Sequence, residues 1–157
     1  MLHKLKNRKN EGFTIIEVLI VLAIAGLILM IVFLAVPALQ RNARNTTIKN
    51  DASALAGGFS EYVSNNDGTA PASPLPAQSG ANVTIGATTS SQAGVKVSGS
   101  TTVNVAKATP TTFAAGQLWW NTGKTCSGTA NPRAITVYYY VEVSGTPSNT
   151  PKCVDAS

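Results

Sequence analysis

The chain has 157 residues and a formal net charge of +5, yet charged residues make up only 12% of it and aromatic residues 6%. This length is enough for one domain and an appendage. Four of the 12 basic residues lie within the first nine positions, namely Lys4, Lys6, Arg8 and Lys9. The remainder is close to neutral and its basic residues are dispersed, so the composition gives no sign of a large basic surface that would bind nucleic acid.

The N-terminal segment places a basic stretch before an uncharged apolar run, Val18–Val36, which is followed by Pro37. Three interpretations compete. A secretory signal peptide has an apolar core of about 7 to 15 residues with a small-residue cleavage site after it. A plain signal anchor holds about 20 apolar residues across the bilayer and keeps its basic flank in the cytoplasm. A cut in front of the run, between Gly12 and Phe13, would instead remove the leader 1–12 and leave the membrane helix on the mature chain.

The acid directly before the apolar run, Glu17, favours the third interpretation. An acid at the centre of a membrane helix costs roughly 2.5 to 3.5 kcal/mol on insertion scales, and less near the interface. A cut after Gly12 creates an amine on Phe13, one helical turn before Glu17, and such an amine is mostly protonated at neutral pH. At an effective dielectric constant of about 20, two charges at about 4 Å attract by about 4 kcal/mol before desolvation. The charges could pair within one chain or, better, between staggered neighbouring chains in a dry bundle, which is enough to offset the insertion cost and to set the stagger between subunits.

The hexapeptide Gly12–Glu17 (GFTIIE), placed after a lysine-rich leader and before an apolar helix, resembles the class III signal of type IV pilins and related pseudopilins. The resemblance covers residues 1 to about 40. It implies cleavage between Gly12 and Phe13 by a prepilin peptidase, N-methylation of Phe13, and a role for Glu17 and Phe13 in subunit assembly. It also implies a precursor in the cytoplasmic membrane, from which an assembly platform in the inner membrane builds a homo-oligomeric helical filament on the cell surface.

A second apolar pattern extends the helix beyond Pro37, which is expected to kink the helix rather than end it. Spacings of three and four residues place one apolar stripe on a helix face, formed by Ile48, Ala52, Leu55, Phe59, Tyr62 and Val63. We predict a membrane or filament-core helix over 13–37 and an amphipathic helix over 38–66 that ends at the turn-forming sequence 65–68. The apolar stripe is expected to pack on a C-terminal sheet.

The C-terminal part, residues 67–157, is predicted to be a loop over 67–82 followed by short antiparallel strands. The clearest alternation runs from Ile135 to Val143. Other strands are marked by Val83 and Ile85, Val95 and Val97, Val103 and Val105, and Gly116–Trp120. The predicted fold class is α+β, with a long N-terminal helix, kinked near Pro37, packed on a small antiparallel sheet in the lollipop form of pilins.

Two cysteines, Cys126 and Cys153, lie in the C-terminal part, far from the single histidine, His3. A zinc site needs about four ligands. One disulfide closing a loop of about 28 residues in an oxidising compartment is favoured over two buried free thiols. Many type IV pilins have a disulfide-bounded C-terminal region, so the resemblance extends loosely to the whole chain.

Motifs that carry catalysis are weak in this sequence. The tripeptide Gly123–Thr125 matches the end of a P-loop, but the first glycine of that motif would fall at Leu118 and no helix-forming segment follows. No histidine remains after cleavage, and the acids are scattered. We therefore predict no enzyme activity, no metal and no cofactor. Of the neighbouring Trp119 and Trp120, one is expected in the core, and the other is a candidate subunit contact or ligand platform.

The predicted function is that of a structural subunit, a major pilin, in a type IV pilus. Such filaments serve adhesion, twitching motility or DNA uptake. The alternatives are a pseudopilin or minor pilin of a type II secretion or DNA-uptake system, and a membrane-anchored binding module. Retention of Glu17 favours an abundant subunit over a tip-initiating minor one, which often lacks that acid. A C-terminal disulfide, and the absence of clustered acids for a calcium loop, favour a pilin over a secretion pseudopilin.

Overall fold

The computed structural model describes residues 12–71, 77–86, 91–104, 114–144, 146–147 and 150–156. These residues form one helix, α1 (Ile15–Asn65), and nine strands: β1 (Ala77–Ser79), β2 (Asn82–Ile85), β3 (Ala93–Lys96), β4 (Thr102–Asn104), β5 (Gln117–Lys124), β6 (Ala130–Tyr139), β7 (Glu142–Val143), β8 (Thr146–Pro147) and β9 (Lys152–Ala156). The chain divides into two compact units, Met1–Leu39 and Gln40–Ser157. The presence of one long helix and nine strands among the described residues confirms the predicted α+β class. The leader up to Glu11, and Val105, lie outside the described residues.

In the first unit, the described residues from Ile15 onwards are helical. Pro37 lies inside α1, so the helix continues through this residue as predicted. A proline within a helix removes one backbone hydrogen bond and its ring crowds the preceding turn. The kink expected at this position stays a prediction.

In the second unit, one face of α1 forms half of the core. Five of the six residues of the predicted stripe are buried, and Val63 is half-buried. The rings of Phe59 and Trp120 lie with their centroids 5.0 Å apart, and both side chains are fully buried. The other half of the core comes from the strands, chiefly from Val83, Ile85, Leu118, Ile135 and Val137. The helix residues spaced by three and four positions and the alternate residues of the strands therefore bury their side chains in the same core.

The strands form three sheets, with the orders β1-β2-β3, β4-β5-β6-β9 and β7-β8. One pairing differs from the prediction of a purely antiparallel sheet, because β4 and β5 run parallel, with Val103 opposite Leu118. Parallel neighbours need a crossover connection of about a dozen residues. The interval from Asn104 to Gln117 supplies a connection of that length.

Strand β6 departs from the predicted strand at both ends. It begins at Ala130, because its pairing with β5 continues past an irregularity between Thr122 and Lys124. It ends at Tyr139, and Glu142 and Val143 belong to the separate hairpin of β7 and β8. Alternation of apolar residues continues across this break, so the sequence pattern could not mark it.

Strand β1 lies within the predicted loop 67–82, and Gln78 explains why this polar segment is a strand. The Gln78 Oε1 atom accepts a hydrogen bond from the backbone N–H of Val103 at 2.7 Å, and Nε2 donates to the carbonyl of Thr101 at 2.6 Å. One side-chain amide thus bonds to the free edge of β4 as a neighbouring strand would. The segment is ordered by polar contacts with distant residues, which hydrophobic alternation does not reveal.

Two adjacent glycines in α1 are predicted to respond in opposite ways to alanine. A Cβ on Gly58 would overlap the side chain of Val95 and lie 3.0 Å from Ile85 Cδ1, whereas a Cβ on Gly57 would meet nothing within 4 Å. Gly57→Ala should stabilise the protein by about 1 kcal/mol, because alanine is the better helix former. Gly58→Ala should destabilise it by about 1 to 3 kcal/mol through overpacking. Thermal unfolding of the detergent-solubilised chain measures both, and a stabilised Gly58→Ala variant would contradict the close approach.

Candidate functional site

The first site lies at the start of α1, where Thr14 and Glu17 form a capping box. Glu17 Oε2 accepts hydrogen bonds from the backbone N–H of Thr14 at 2.9 Å and from its hydroxyl at 2.8 Å. The backbone N–H of Glu17 points back to Thr14 Oγ1 at 3.4 Å. These reciprocal bonds satisfy N–H groups that the first turn of a helix leaves without a partner.

This arrangement gives Glu17 a local partner within its own chain. Both acceptor contacts use Oε2, and among the described residues Oε1 has no donor, so it can accept one from elsewhere. Phe13, which directly precedes the capping box, has 89% of its surface exposed. Gly12, Phe13 and Glu17 are thus together at one accessible end of the helix. The sequence contains the signal that predicts this capping box, a threonine followed three residues later by glutamate before an apolar run, although the cap was not among the predictions for Glu17.

The second feature is the apolar surface that follows Glu17. Helix α1 contains an 18-residue window with a mean hydropathy of 3.3, of which none is buried. Its large apolar side chains include Leu22, Met30 and Phe33, all more than 60% exposed. By length and composition this helix can cross a membrane. The core helix of a soluble protein would instead have such residues buried.

The third feature is the disulfide between Cys126 and Cys153, whose Cα atoms are 5.9 Å apart. Cys153 lies in β9, which runs antiparallel beside β6 with Cys153 opposite Tyr138. The backbone N–H of Cys126 donates to Asp155 Oδ1 at 2.7 Å, so a hydrogen bond reinforces the covalent link. The C-terminal segment is therefore fastened beside β6, the strand that follows Cys126.

A polar clasp, formed by Arg44, Asn45 and Glu142, attaches strand β7 to the helix. Arg44 donates two hydrogen bonds to the Glu142 carboxylate, at 2.9 and 2.7 Å. Asn45 Nδ2 donates to the Glu142 carbonyl at 3.0 Å, and Asn45 Oδ1 accepts from the Glu142 N–H at 2.7 Å. The clasp joins residues almost a hundred positions apart, so no local sequence pattern indicates it.

The clasp should make stability depend on acid. The hydrogen bonds from Arg44 hold the pKa of the Glu142 carboxyl below its usual value, although partial burial opposes this effect. A lowered folded-state pKa gives stability that is present above the unfolded pKa, near 4.3, and is lost as the pH falls through the folded value. The melting temperature of the wild type should therefore fall more between pH 6 and pH 3 than that of Arg44→Gln. Equal falls in the two proteins, measured by thermal unfolding, would contradict this assignment.

A cavity of about 300 Å³ lies beside the clasp and is lined by residues that include Ile48, Thr101, Tyr140 and Glu142. Its groups do not suit acid–base catalysis. Glu142 is held by Arg44 and Asn45, and burial, with a smaller effect of Tyr138, raises the pKa of Tyr140 to about 12. Over the described ranges, no three His, Cys, Asp or Glu side chains come together as metal ligands would.

The two tryptophans divide as their strand positions imply. Trp120 is fully buried against Phe59, and Trp119 is half-buried on the opposite face of β5, opposite Tyr138. The tripeptide Gly123–Thr125 closes β5 and leads into the turn before β6 rather than into a helix. The structure therefore gives this tripeptide no P-loop geometry.

Comparison with known proteins gives one match, at the N-terminal site. Residues 7–33 match the family described as the prokaryotic N-terminal methylation motif. This motif is the class III signal peptide of type IV pilins and pseudopilins. No curated protein and no solved structure matches the chain.

The motif and the fold together define a class of protein. A long N-terminal helix packed on mixed sheets is a pilin-like architecture. The chain thus carries, at the start of a long helix, the N-terminal methylation motif that type IV pilin-like and pseudopilin proteins share. The motif implies processing by a prepilin peptidase and assembly by a pilus or secretion system, and the apolar helix fits membrane insertion of the precursor.

Proposed function

We propose that this protein is the major structural subunit of a type IV pilus. The observation that carries the proposal is the exposed apolar helix surface that begins directly after Glu17. Fully burying one large apolar side chain is worth about 1.5 to 3 kcal/mol, so a continuous surface of such residues needs another environment. The bilayer supplies it for the membrane-held precursor, and the packed helices of other copies supply it in a filament.

The proposal assigns successive roles to the residues of the N-terminal site. A prepilin peptidase cuts between Gly12 and Phe13, and the new amine of Phe13 is methylated. Glu17 then pairs with a cationic amine. This amine is either that of Phe13 in its own chain, one turn away, or that of Phe13 in a neighbouring chain. The exposed position of Phe13 and the available Oε1 of Glu17 support this pairing. An assembly platform in the inner membrane moves the subunit from the bilayer into a filament on the cell surface.

A second candidate function is that of a pseudopilin or minor pilin in a type II secretion or DNA-uptake system, because its members share the matched motif. The disulfide between Cys126 and Cys153 favours the pilin. So does the scattered placement of acids such as Asp67 and Asp155, since a calcium loop needs six or more oxygen ligands. In either case the role is structural rather than enzymatic.

Processing gives the first test. Filaments sheared from the cell surface should contain a band whose intact mass corresponds to a chain that begins at Phe13 and carries one added methyl group. Electron microscopy of the same preparation should show the filaments, and antibodies against the protein should label them along their length. A mature N-terminus near Leu39 would establish an ordinary signal peptide and contradict the proposal.

The abundance of the protein in sheared filaments and the effect of its deletion separate the two candidates. A major pilin should be the most abundant protein of the preparation, and its deletion should abolish the filaments. A minor pilin or a pseudopilin should be scarce in sheared material, and its loss should instead impair secretion, DNA uptake or filament initiation.

A further inference from the structure

The exposed side of helix α1 in the second unit carries two unpaired charges of opposite sign. Beyond Leu39, the exposed charged residues of this helix are Arg44, Lys49 and Glu61. Arg44 belongs to the clasp with Glu142, which is the one ion pair that the described part of the chain contains. Lys49 and Glu61 therefore face solvent without an ionic partner in their own described chain.

The spacing of these two charges prevents them from pairing with each other. Twelve residues separate Lys49 from Glu61, which corresponds to about 18 Å along the helix axis and about 120° around it. The two side chains thus lie on opposite flanks of the exposed face. The exposed residues between them are short, namely Asn50, Ser53, Ala54 and Gly57, so a neighbouring helix can approach this face closely.

We propose that this face binds a second copy of the same chain, with Lys49 of one copy beside Glu61 of the next. The inference rests on the proposed function, because subunits drawn from one membrane enter the filament in the same orientation and their helices run parallel. For parallel helices, this pairing requires an axial offset of about 18 Å between the two copies. The opposite charges of Lys49 and Glu61 indicate that the binding partner is a second copy of the chain, since each copy carries both residues of the contact.

The position of the charges on opposite flanks also determines the type of assembly. Each copy uses its Lys49 flank towards one neighbour and its Glu61 flank towards another. An interface between two different surfaces, combined with an axial offset, does not close on itself and generates an open helical filament. An exposed ion pair adds little affinity, but it disfavours registers that bring like charges together. The ion pair would therefore favour one axial register between the second units of neighbouring copies.

Charge reversal tests the contact. Lys49→Glu and Glu61→Lys should each lower filament yield, normalised to membrane-held subunit, by about threefold or more, because each places like charges at every copy of the contact. The double variant Lys49→Glu/Glu61→Lys restores one charge of each sign at the contact and should return towards the wild-type yield. Lys96→Glu, at an exposed position on β3, changes the net charge as Lys49→Glu does, so it is the matched control for that variant and should assemble normally.

Cross-linking gives a second, independent measurement. Filaments of the Lys49→Cys/Glu61→Cys variant should form a ladder of disulfide-linked multimers on mild oxidation, and those of Lys96→Cys/Glu61→Cys should not. Melting temperatures of all variants should equal that of the wild type, since the substituted side chains are exposed. The contact would be overturned if the wild type forms filaments, the charge reversals leave the filament yield unchanged and no ladder appears. The proposed function would then remain intact. Absence of any wild-type filament would overturn the proposed function, and this inference with it.

Discussion

Glu17→Ala is expected to insert in the membrane at least as well as the wild type and yet to lower filament yield by about tenfold or more. Apolar packing supplies most of the cohesion between helices, but it has no preferred direction and specifies their stagger weakly. A charge pair in a dry bundle specifies it, because a carboxylate left unpaired there costs several kcal/mol. Every 1.4 kcal/mol lost at a contact corresponds to a factor of ten. The measurement is filament yield after shearing, normalised to membrane-held subunit.

The capping box allows the effect of charge to be separated from the effect of helix capping. Glutamine serves in a capping box as glutamate does, so Glu17→Gln keeps the bonds to Thr14 and removes only the charge. Glu17→Gln should therefore assemble as poorly as Glu17→Ala if the charge pair determines assembly. Assembly of Glu17→Gln alone at the wild-type level would assign the effect to the cap. Wild-type assembly of both variants would make the membrane-anchored module the leading account.

Cys153→Ser is expected to destabilise the second unit by roughly 3 to 4 kcal/mol on the loop-entropy model. The residues between Cys126 and Cys153 contain all of β6, so the link constrains a central strand of the four-stranded sheet. Subunit abundance should fall, whereas cleavage after Gly12 should be unchanged because the leader is remote in sequence. Immunoblots of membrane fractions and the intact mass of the remaining subunit measure the two effects.

The double variant Cys126→Ser/Cys153→Ser is the control for this experiment. Either substitution breaks the same link, so the double variant should be about as unstable as the single one, without a free thiol that can form unwanted cross-links. Non-reducing peptide mapping of exported wild-type protein should recover the two cysteines in one linked peptide pair. Recovery of both as free thiols would contradict the assignment.

The parts of the fold that depend on apolar periodicity could be predicted from the sequence. The stripe from Ile48 to Tyr62 and the buried position of one tryptophan follow from residue spacing alone, and the structure buries them. The N-terminal motif was equally informative, because a hexapeptide such as Gly12–Glu17 combines an acid, a small residue and an apolar run in a fixed order. These features depend on residues that are close together in the sequence, so a local pattern is enough to predict them.

The remaining features depend on contacts between distant polar groups. Strand β1 is held by the side-chain amide of Gln78, and β7, which follows the end of β6, is held where Arg44 and Asn45 bind Glu142. No pattern in the flanking residues distinguishes these amides and carboxylates from solvated ones. The parallel pairing of β4 with β5 was missed because alternation shows which face of a strand is buried but not the direction of its neighbour, and β4 has only three residues.

The order of elements along the chain has a consequence for the timing of folding. The helix face that contains Phe59 is synthesised well before β5 supplies Trp120, and the clasp closes only when Glu142 has followed Arg44 by almost a hundred residues. Contacts of such large sequence separation form slowly, because the chain loses loop entropy before it gains contact energy. The apolar face of the helix therefore has no sheet to pack on until β5 and β6 have been made, and we expect an aggregation-prone intermediate before the native second unit forms. If the second unit is exported as the proposed function requires, cells that make this protein in quantity are expected to need a chaperone that shields the helix face across the membrane.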